Sequence, residues 1–340
     1  MPGVTLHFVL ADTALHRLRT QGGRLLLDPE DPAALNAFYH GAVGPDLGYF
    51  PGGHRVLSDL AHLVRTGSLV RALIRSAETV REKAFAWGWL THVLGDQAVH
   101  PVIGRGVGEL LTGDPTAFVD GSSNPLAHLR VEMGLDAWYA QRVPQVRVRR
   151  LCDAFDDDSV GFLVRAYAAV YRVALDPRHF VRSHRAATRR VGQALGSMGM
   201  VGALMGGNGA PVLPMIRGAL QAAYRNQAFR SLGLAYLNPV APSEWLLEEV
   251  GGEVGRHADA FMRHFANGAE GLLDYNLDTG RPLAHERDHP GTRRAMEALE
   301  GLTGGAHGTS GPGKQSAPLA AGEALALTGT LTGPRRPLEA

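Results

Sequence analysis

The segment THVLGDQAVHP, residues 91–101, carries two histidines and a carboxylate at a spacing suited to metal chemistry. His92, Asp96 and His100 follow at four-residue intervals, so on a helix each step turns only about 40° around the axis and the three share one broad face. Along the axis, however, His92 and His100 stand roughly 12 Å apart, too far for both to bind one zinc through bonds of about 2.0–2.1 Å. The spacing predicts two metals, with Asp96 between them and able to bridge. The preceding KAFAWGWL is apolar on nearly every face, so this helix is expected to be buried, where unpaired polar groups are costly.

A second pair, His128 and Glu132 in AHLRVE, also has i, i+4 spacing and can grip one cation from one helix face. Taken alone, it reads as an ordinary exposed helical contact. The Gly/Pro-rich run FYHGAVGPDLGYFPGGH supplies His40, Asp46 and His54 on a loop, a segment type that can carry a carboxylate and an imidazole to a site built by helices. His7 stands near the start of an apolar stretch. In HADAFMRH, His257, Asp259 and His264 read as part of a solvated helix, and Asn276 and Asp278 in LLDYNLDTG read as turn formers.

Composition narrows the chemistry. The chain has 340 residues, 45% of them hydrophobic, with 34 Lys+Arg against 33 Asp+Glu and a net charge of +1. That balance gives no strong nucleic-acid signature, and the short basic strip VPQVRVRR, residues 143–150, reads as surface. The single Cys152 excludes both a disulfide framework and a Cys-rich zinc module, so a metal site must draw on the 15 His and on carboxylates. No basic run precedes the apolar N-terminal residues, and Asp12 interrupts them, so no secretory signal is expected. No stretch reaches the roughly 20 apolar residues needed to span a bilayer. The expectation is a cytoplasmic protein.

The elements that must position these residues are helices. Apolar residues recur three and four apart over 33–39, 56–77, 78–96, 126–141, 160–173, 183–198, 216–232 and 245–266, and strand alternation is scarce. The fold class expected is therefore all-α, with a helical domain over residues 1–300. The Gly/Met-rich stretch 196–214 marks a candidate internal boundary. From about Gly301 the composition turns to Gly, Ala, Thr, Ser and Pro, and residues 301–340 are expected to be a disordered tail.

Taken in order, GPDLGYFPGGH, GWLTHVLGDQAVHP and HLRVE, preceded by a His-containing N-terminal segment, resemble the zinc-dependent phospholipase C family, which shares its helical fold with P1-type nucleases. The resemblance covers about the first 140 residues and implies a compact multi-helix bundle around two or three zinc ions. It implies Asp46, His54, His92 and Asp96 around one zinc, His100, His128 and Glu132 around a second, and His7 with the shared Asp96 at a third. The interval from Asp46 to the next histidine is shorter than in secreted members, so His62 in DLAHLV stands as a substitute for His54.

The implied reaction is hydrolysis of a phosphodiester, most naturally that of a phospholipid head group. Zinc lowers the pKa of bound water toward about 7, providing a hydroxide nucleophile that Asp46 would orient or deprotonate. Tyr39, Tyr49 and Phe50 are candidate walls of a choline pocket. The apolar stretch 196–216 is the candidate rim for the glyceride, with peripheral contact to a lipid surface. Two other readings compete: a single-strand nuclease on the same scaffold, and a non-catalytic zinc-stabilised helical module.

Overall fold

The computed structural model describes residues 3–20, 31–50, 52–143, 160–188 and 239–304. The chain divides into a unit spanning Met1–Thr303 and a segment Gly304–Ala340. Within the described residues the first unit is all-α: α1 (Val4–Thr20), α2 (Pro32–Ala42), α3 (Arg55–Leu63), α4 (Thr66–Ser76), α5 (Val80–Thr112), α6 (Pro125–Arg142), α7 (Gly161–Tyr171), α8 (177–188), α9 (Glu244–Ala266) and α10 (Pro290–Gly304). A two-residue antiparallel ladder, β1 (Tyr275–Asn276) with β2 (Arg281–Pro282), is the one sheet among these residues. The expected boundary at 196–214, the apolar rim to 216, the helix at 216–232, residues 189–198 of the helix expected over 183–198, residues 144–150 of the strip 143–150 and residues 305–340 of the tail fall outside them, whereas 301–304, expected to open that tail, form the end of α10.

Helix α5 is the axis of the bundle. It begins at a capping box in which Thr79 and Glu82 satisfy each other's backbone N–H groups, and it ends at Gly113 in the left-handed conformation. Between these ends it is apolar on most faces, with Phe85, Trp89, Leu90, Val93 and Val107 all buried, as expected of a helix enclosed by others. Each such side chain contributes roughly 1.5–3 kcal/mol of burial.

Two glycines let α2 approach α5 backbone to backbone. A Cβ at Gly41 would lie 2.0 Å from the Phe85 carbonyl oxygen, and one at Gly88 would lie 1.9 Å from the Phe38 carbonyl oxygen. This interlock brings the C-terminal end of α2, and the 3-10 turn Gly44–Gly48 that follows, against the middle of α5.

Two expectations about helix ends change. The apolar period over 56–77 is broken into α3 and α4 at Arg65, which takes a left-handed φ of 53° and donates from Nη1 to the Val170 carbonyl. Conversely, Pro101 punctuates the sequence but does not end α5. Its missing N–H leaves the Gln97 carbonyl without its helical donor, and Gly280 (φ 66°) packs there, close enough that a Cβ would meet Pro101 and that oxygen. α1 and α10 had no period strong enough to mark them as helices.

Candidate metal centre

Five elements deliver polar groups to one buried region beside α5. α5 itself supplies His92, Asp96 and His100 along one face; the 3-10 turn supplies Asp46, α3 His62, α1 His7, and α6 the pair His128 and Glu132. All eight are buried, His92 completely. α1 is tied to α6 through Asp136, whose carboxylate accepts from the Thr5 and Leu6 N–H groups at 3.0 Å each, fixing His7 relative to Glu132 one helical turn away.

Asp96 is the hub. Its Oδ2 lies 3.2 Å from His92 Nε2 and 3.6 Å from His62 Nε2, while its Oδ1 lies 3.4 Å from His7 Nε2 and 3.6 Å from His100 Nε2. The two oxygens thus face different sets of imidazoles, the arrangement a bridging carboxylate requires. Asp46 Oδ1 approaches His62 Nε2 to 3.2 Å. On the far side, Glu132 Oε1 lies 3.4 Å from His100 Nε2 and 3.0 Å from His128 Nε2.

Second partners set the histidine tautomers. His92 donates from Nδ1 to the Ala42 carbonyl at 2.9 Å, His62 to the Ser58 carbonyl at 2.8 Å and His100 to the Leu277 carbonyl at 2.5 Å. A carbonyl only accepts, so each Nδ1 carries a proton and, in the neutral ring, Nε2 presents its lone pair inward. The inward face is therefore rich in acceptors: both oxygens of Asp46, Oδ2 of Asp96 and Oε2 of Glu132 are buried without a hydrogen-bond donor. A tetrahedral ion with bonds of about 2.0–2.1 Å has ligand atoms roughly 3.3 Å apart. The separations His62 Nε2 to His92 Nε2 (3.3 Å), His92 Nε2 to Asp96 Oδ2 (3.2 Å) and His62 Nε2 to Asp46 Oδ1 (3.2 Å) match that edge, so the residues fit zinc.

The same groups show what protons do in the absence of a cation. Burial pulls the pKa of His92 down, but Asp96 and Asp46 outweigh it and the net shift is upward. His100 is also pulled down by burial, yet Asp96 and Glu132 drive it up to about 10. Burial alone would raise Asp96, but His100 and His92 hold it well below the usual carboxylate range. His7 goes the other way: burial and its neighbour His92, stacked 3.9 Å away, lower it to about 3.

His54 does not join the cluster. As the residue preceding α3 it is half-buried and lies against His179, with ring centroids 4.1 Å apart, whereas His62, two turns into α3, points inward. The helical rotation of α3, invisible in a motif, makes His62 the residue that approaches Asp46. His7, Asp46, His92, Asp96, His100, His128 and Glu132 lie together in this buried cluster. Sequence reasoning missed the closing segment after α9: the Leu277 carbonyl that orients His100, and Asp278, which sits within 4.8 Å of ligand atoms of His100 and His128. Asp278 was legible only as a turn former.

A cleft of about 360 Å³ opens on the cluster. His62, His100, His128 and Glu132 line it, together with Leu63, Pro125, Leu126 and Leu129 and the polar Tyr49, Arg55, Ser122 and Arg294. Among the described residues the expected aromatic cage does not form in this lining. Tyr39 and Phe50 are buried in the core, and Tyr39 donates to Asp12. Tyr49 does reach the cleft, but the Arg55 guanidinium already lies 5.9 Å from its ring centroid.

Residues 6–174 match the family described as zinc dependent phospholipase C, and the chain belongs to that family over this stretch. Comparison with curated proteins and with solved structures finds no significant match. Among the described residues no helix is long and apolar enough to cross a membrane.

Proposed function

We propose that this protein is a zinc-dependent phosphodiester hydrolase acting on phospholipid head groups. The observation that carries the reading is the acceptor-rich cluster of three carboxylates and inward-facing imidazoles opening into a cleft with apolar walls. Asp46, His62, His92 and Asp96 would hold one ion, His100, His128 and Glu132 a second, and His7 with Asp96 a third. Zinc, when bound, supplies Lewis acidity toward phosphoryl oxygens and lowers the pKa of water.

The chain's own residues do the rest. Asp46 keeps both carboxylate oxygens free of hydrogen bonds, so one can serve an ion while the other accepts a proton from water. Glu132, which unlike Asp46 lines the cleft, is the competing acceptor. Leu63, Leu126 and Leu129 suit the glyceride portion of a lipid, and Arg294 offers a cation to an anionic head group, whereas Arg55 is paired with Asp59 at 3.2 Å. The nuclease reading draws on the same metal residues, but among the described residues Tyr49 is the one Phe, Tyr or Trp that lines this cleft, short of a row of stacking aromatics. A hydrolysis assay on short-chain phospholipids, with and without zinc removal by chelator, tests the proposal. Zinc-dependent release of diacylglycerol is expected, and hydrolysis indifferent to the metal would refute it.

A further inference from the structure

Three of the inward-facing histidines, His62, His92 and His100, rest their Nδ1–H on a carbonyl oxygen, and His128 does not. Its Nε2 lies 3.0 Å from Glu132 Oε1, but its Nδ1 is buried without a hydrogen-bond partner. A ligating imidazole whose second nitrogen has no acceptor is held only by packing, and a cation at Nε2 makes the Nδ1 proton more acidic and its need of an acceptor greater.

A carboxylate with a ligand atom within 4.8 Å of one of His128 comes from outside the family-matched stretch. Asp278 lies on the turn between β1 and β2, which is strapped to the centre at both ends: Leu277 donates its N–H to the His62 carbonyl at 2.9 Å and accepts from His100 Nδ1. Gly280 seats the same turn on the Pro101 break in α5. The Asp278 carboxylate is aimed by three donors from the loop before α6. Gly121 N–H lies 3.0 Å from Oδ1, and Ser122 N–H and Oγ lie 2.9 and 2.7 Å from Oδ2. Oδ1 therefore retains a lone pair. What separates it from His128 is the missing side chain of Gly121, since a Cβ there would lie 2.5 Å from Asp278 Oδ1 and 3.2 Å from His128 Nδ1.

We infer that Asp278 is the positioning carboxylate of His128: the two groups lie within 4.8 Å of each other without a hydrogen bond, and the Nδ1–H to carboxylate contact is the one that closes when Nε2 takes the ion shared with His100 and Glu132. Gly121 is glycine because the two groups must meet across it. The turn after α9 thereby becomes part of the metal centre, although it stands about 150 residues further along the chain than His128. The inference rests on the proposed zinc site, and its test separates the two.

Full-length wild-type protein and Asp278→Asn are titrated with zinc against a competing chelator, and His128 is followed by ¹⁵N NMR in both. Asparagine keeps the shape and an acceptor for the loop but loses the charge. The expected result is a 10–100-fold weaker affinity for one ion in the variant. A shift of the His128 Nδ1 resonance should accompany it, and the loss of affinity should exceed the loss of metal-free stability that comes from turning the asparagine NH2 toward the Gly121 or Ser122 N–H. An unchanged affinity, or a weakening matched by an equal loss of metal-free stability, would overturn the inference while leaving the zinc site standing. A wild type that binds no zinc would overturn both. Should Asp278→Asn not fold, Gly121→Ala, which wedges a methyl between the two groups, is judged by the same criteria.

Discussion

His62 and His92 direct their Nε2 atoms at each other across 3.3 Å, and each ring has its Nδ1 proton fixed on a carbonyl oxygen. With a proton on one Nε2 the two rings share a hydrogen bond, and with both rings neutral they oppose lone pairs, which a cation between them would convert into a shared attraction. The residue from α3 that matters is therefore His62. His62→Ala should lose one zinc equivalent and at least a hundredfold in turnover, more than the 10–100-fold typical of outer-shell partners. His54→Ala, removing a ring that lies against His179, should leave zinc content and turnover unchanged. Elemental analysis of the two purified variants decides the matter, and the reverse pattern would return the ligand role to His54.

Asp96 divides its oxygens between His62 and His92 on one side and His7 and His100 on the other. An amide in its place supplies no negative charge to either ion. Asp96→Asn should abolish turnover and lower zinc content by more than one equivalent, whereas His264→Ala and His285→Ala, on α9 and the turn before α10, should do neither. Full activity and metal in Asp96→Asn would show that the centre has been misplaced.

The face shared by His92, Asp96 and His100 was legible in the sequence because the spacing of four is a property of any helix and Pro101 did not interrupt it. The pairing of His128 with Glu132 was legible for the same reason. What could not be read was rotation and return. Which histidine of the 54–62 stretch points inward depends on how α3 leaves the 3-10 turn, and the approach of Leu277 and Asp278 depends on a turn seated on Pro101 from far along the chain. The helix break falls on Arg65 itself, two residues before Gly67, the one Gly or Pro near it.

The close approach of α2 and α5 predicts a stability effect remote from the ligands. Gly88→Ala places a methyl where the Phe38 carbonyl now sits, so the helices must separate. Overpacking of this kind costs about 1–3 kcal/mol. Because the Ala42 carbonyl orients His92, the same separation should weaken zinc binding as well. Chemical denaturation and a zinc titration measure the two effects, and a variant as stable as wild type would contradict the packing described.

Protonation gives the centre a pH dependence whose sign is set by His100. Its folded pKa of about 10 stands above the ordinary value of 6.5, burial notwithstanding, because Asp96 and Glu132 favour the charged ring. The stabilisation this proton provides to the metal-free protein is complete below about pH 6.5 and is lost as pH rises through about 10. Zinc displaces the proton, so the apparent zinc affinity should rise with pH by about tenfold per unit for each proton released. Thermal melts of chelator-treated protein should fall across this window, while those of zinc-loaded protein should not follow them. Parallel curves with and without zinc would show that the ion does not engage His100.

The division between lipid and nucleic acid rests on the cleft. Leu63, Leu126 and Leu129 line it beside the metal residues, and Leu126 is exposed, as a surface that receives an acyl-bearing substrate requires. A nuclease would need cationic and stacking groups along several nucleotides, and its activity would fall steeply with salt as counterions are released. Arg55 occupies the face of Tyr49, so among the described residues a choline head group finds no aromatic cage, and phosphatidylglycerol should be hydrolysed at least as well as phosphatidylcholine. Short-chain forms of both lipids and single-stranded DNA, assayed from low to high salt, distinguish the cases. Lipid hydrolysis with weak salt dependence and little nucleotide release is expected. Salt-sensitive cleavage of the DNA without lipid turnover would assign the same zinc residues to a nuclease.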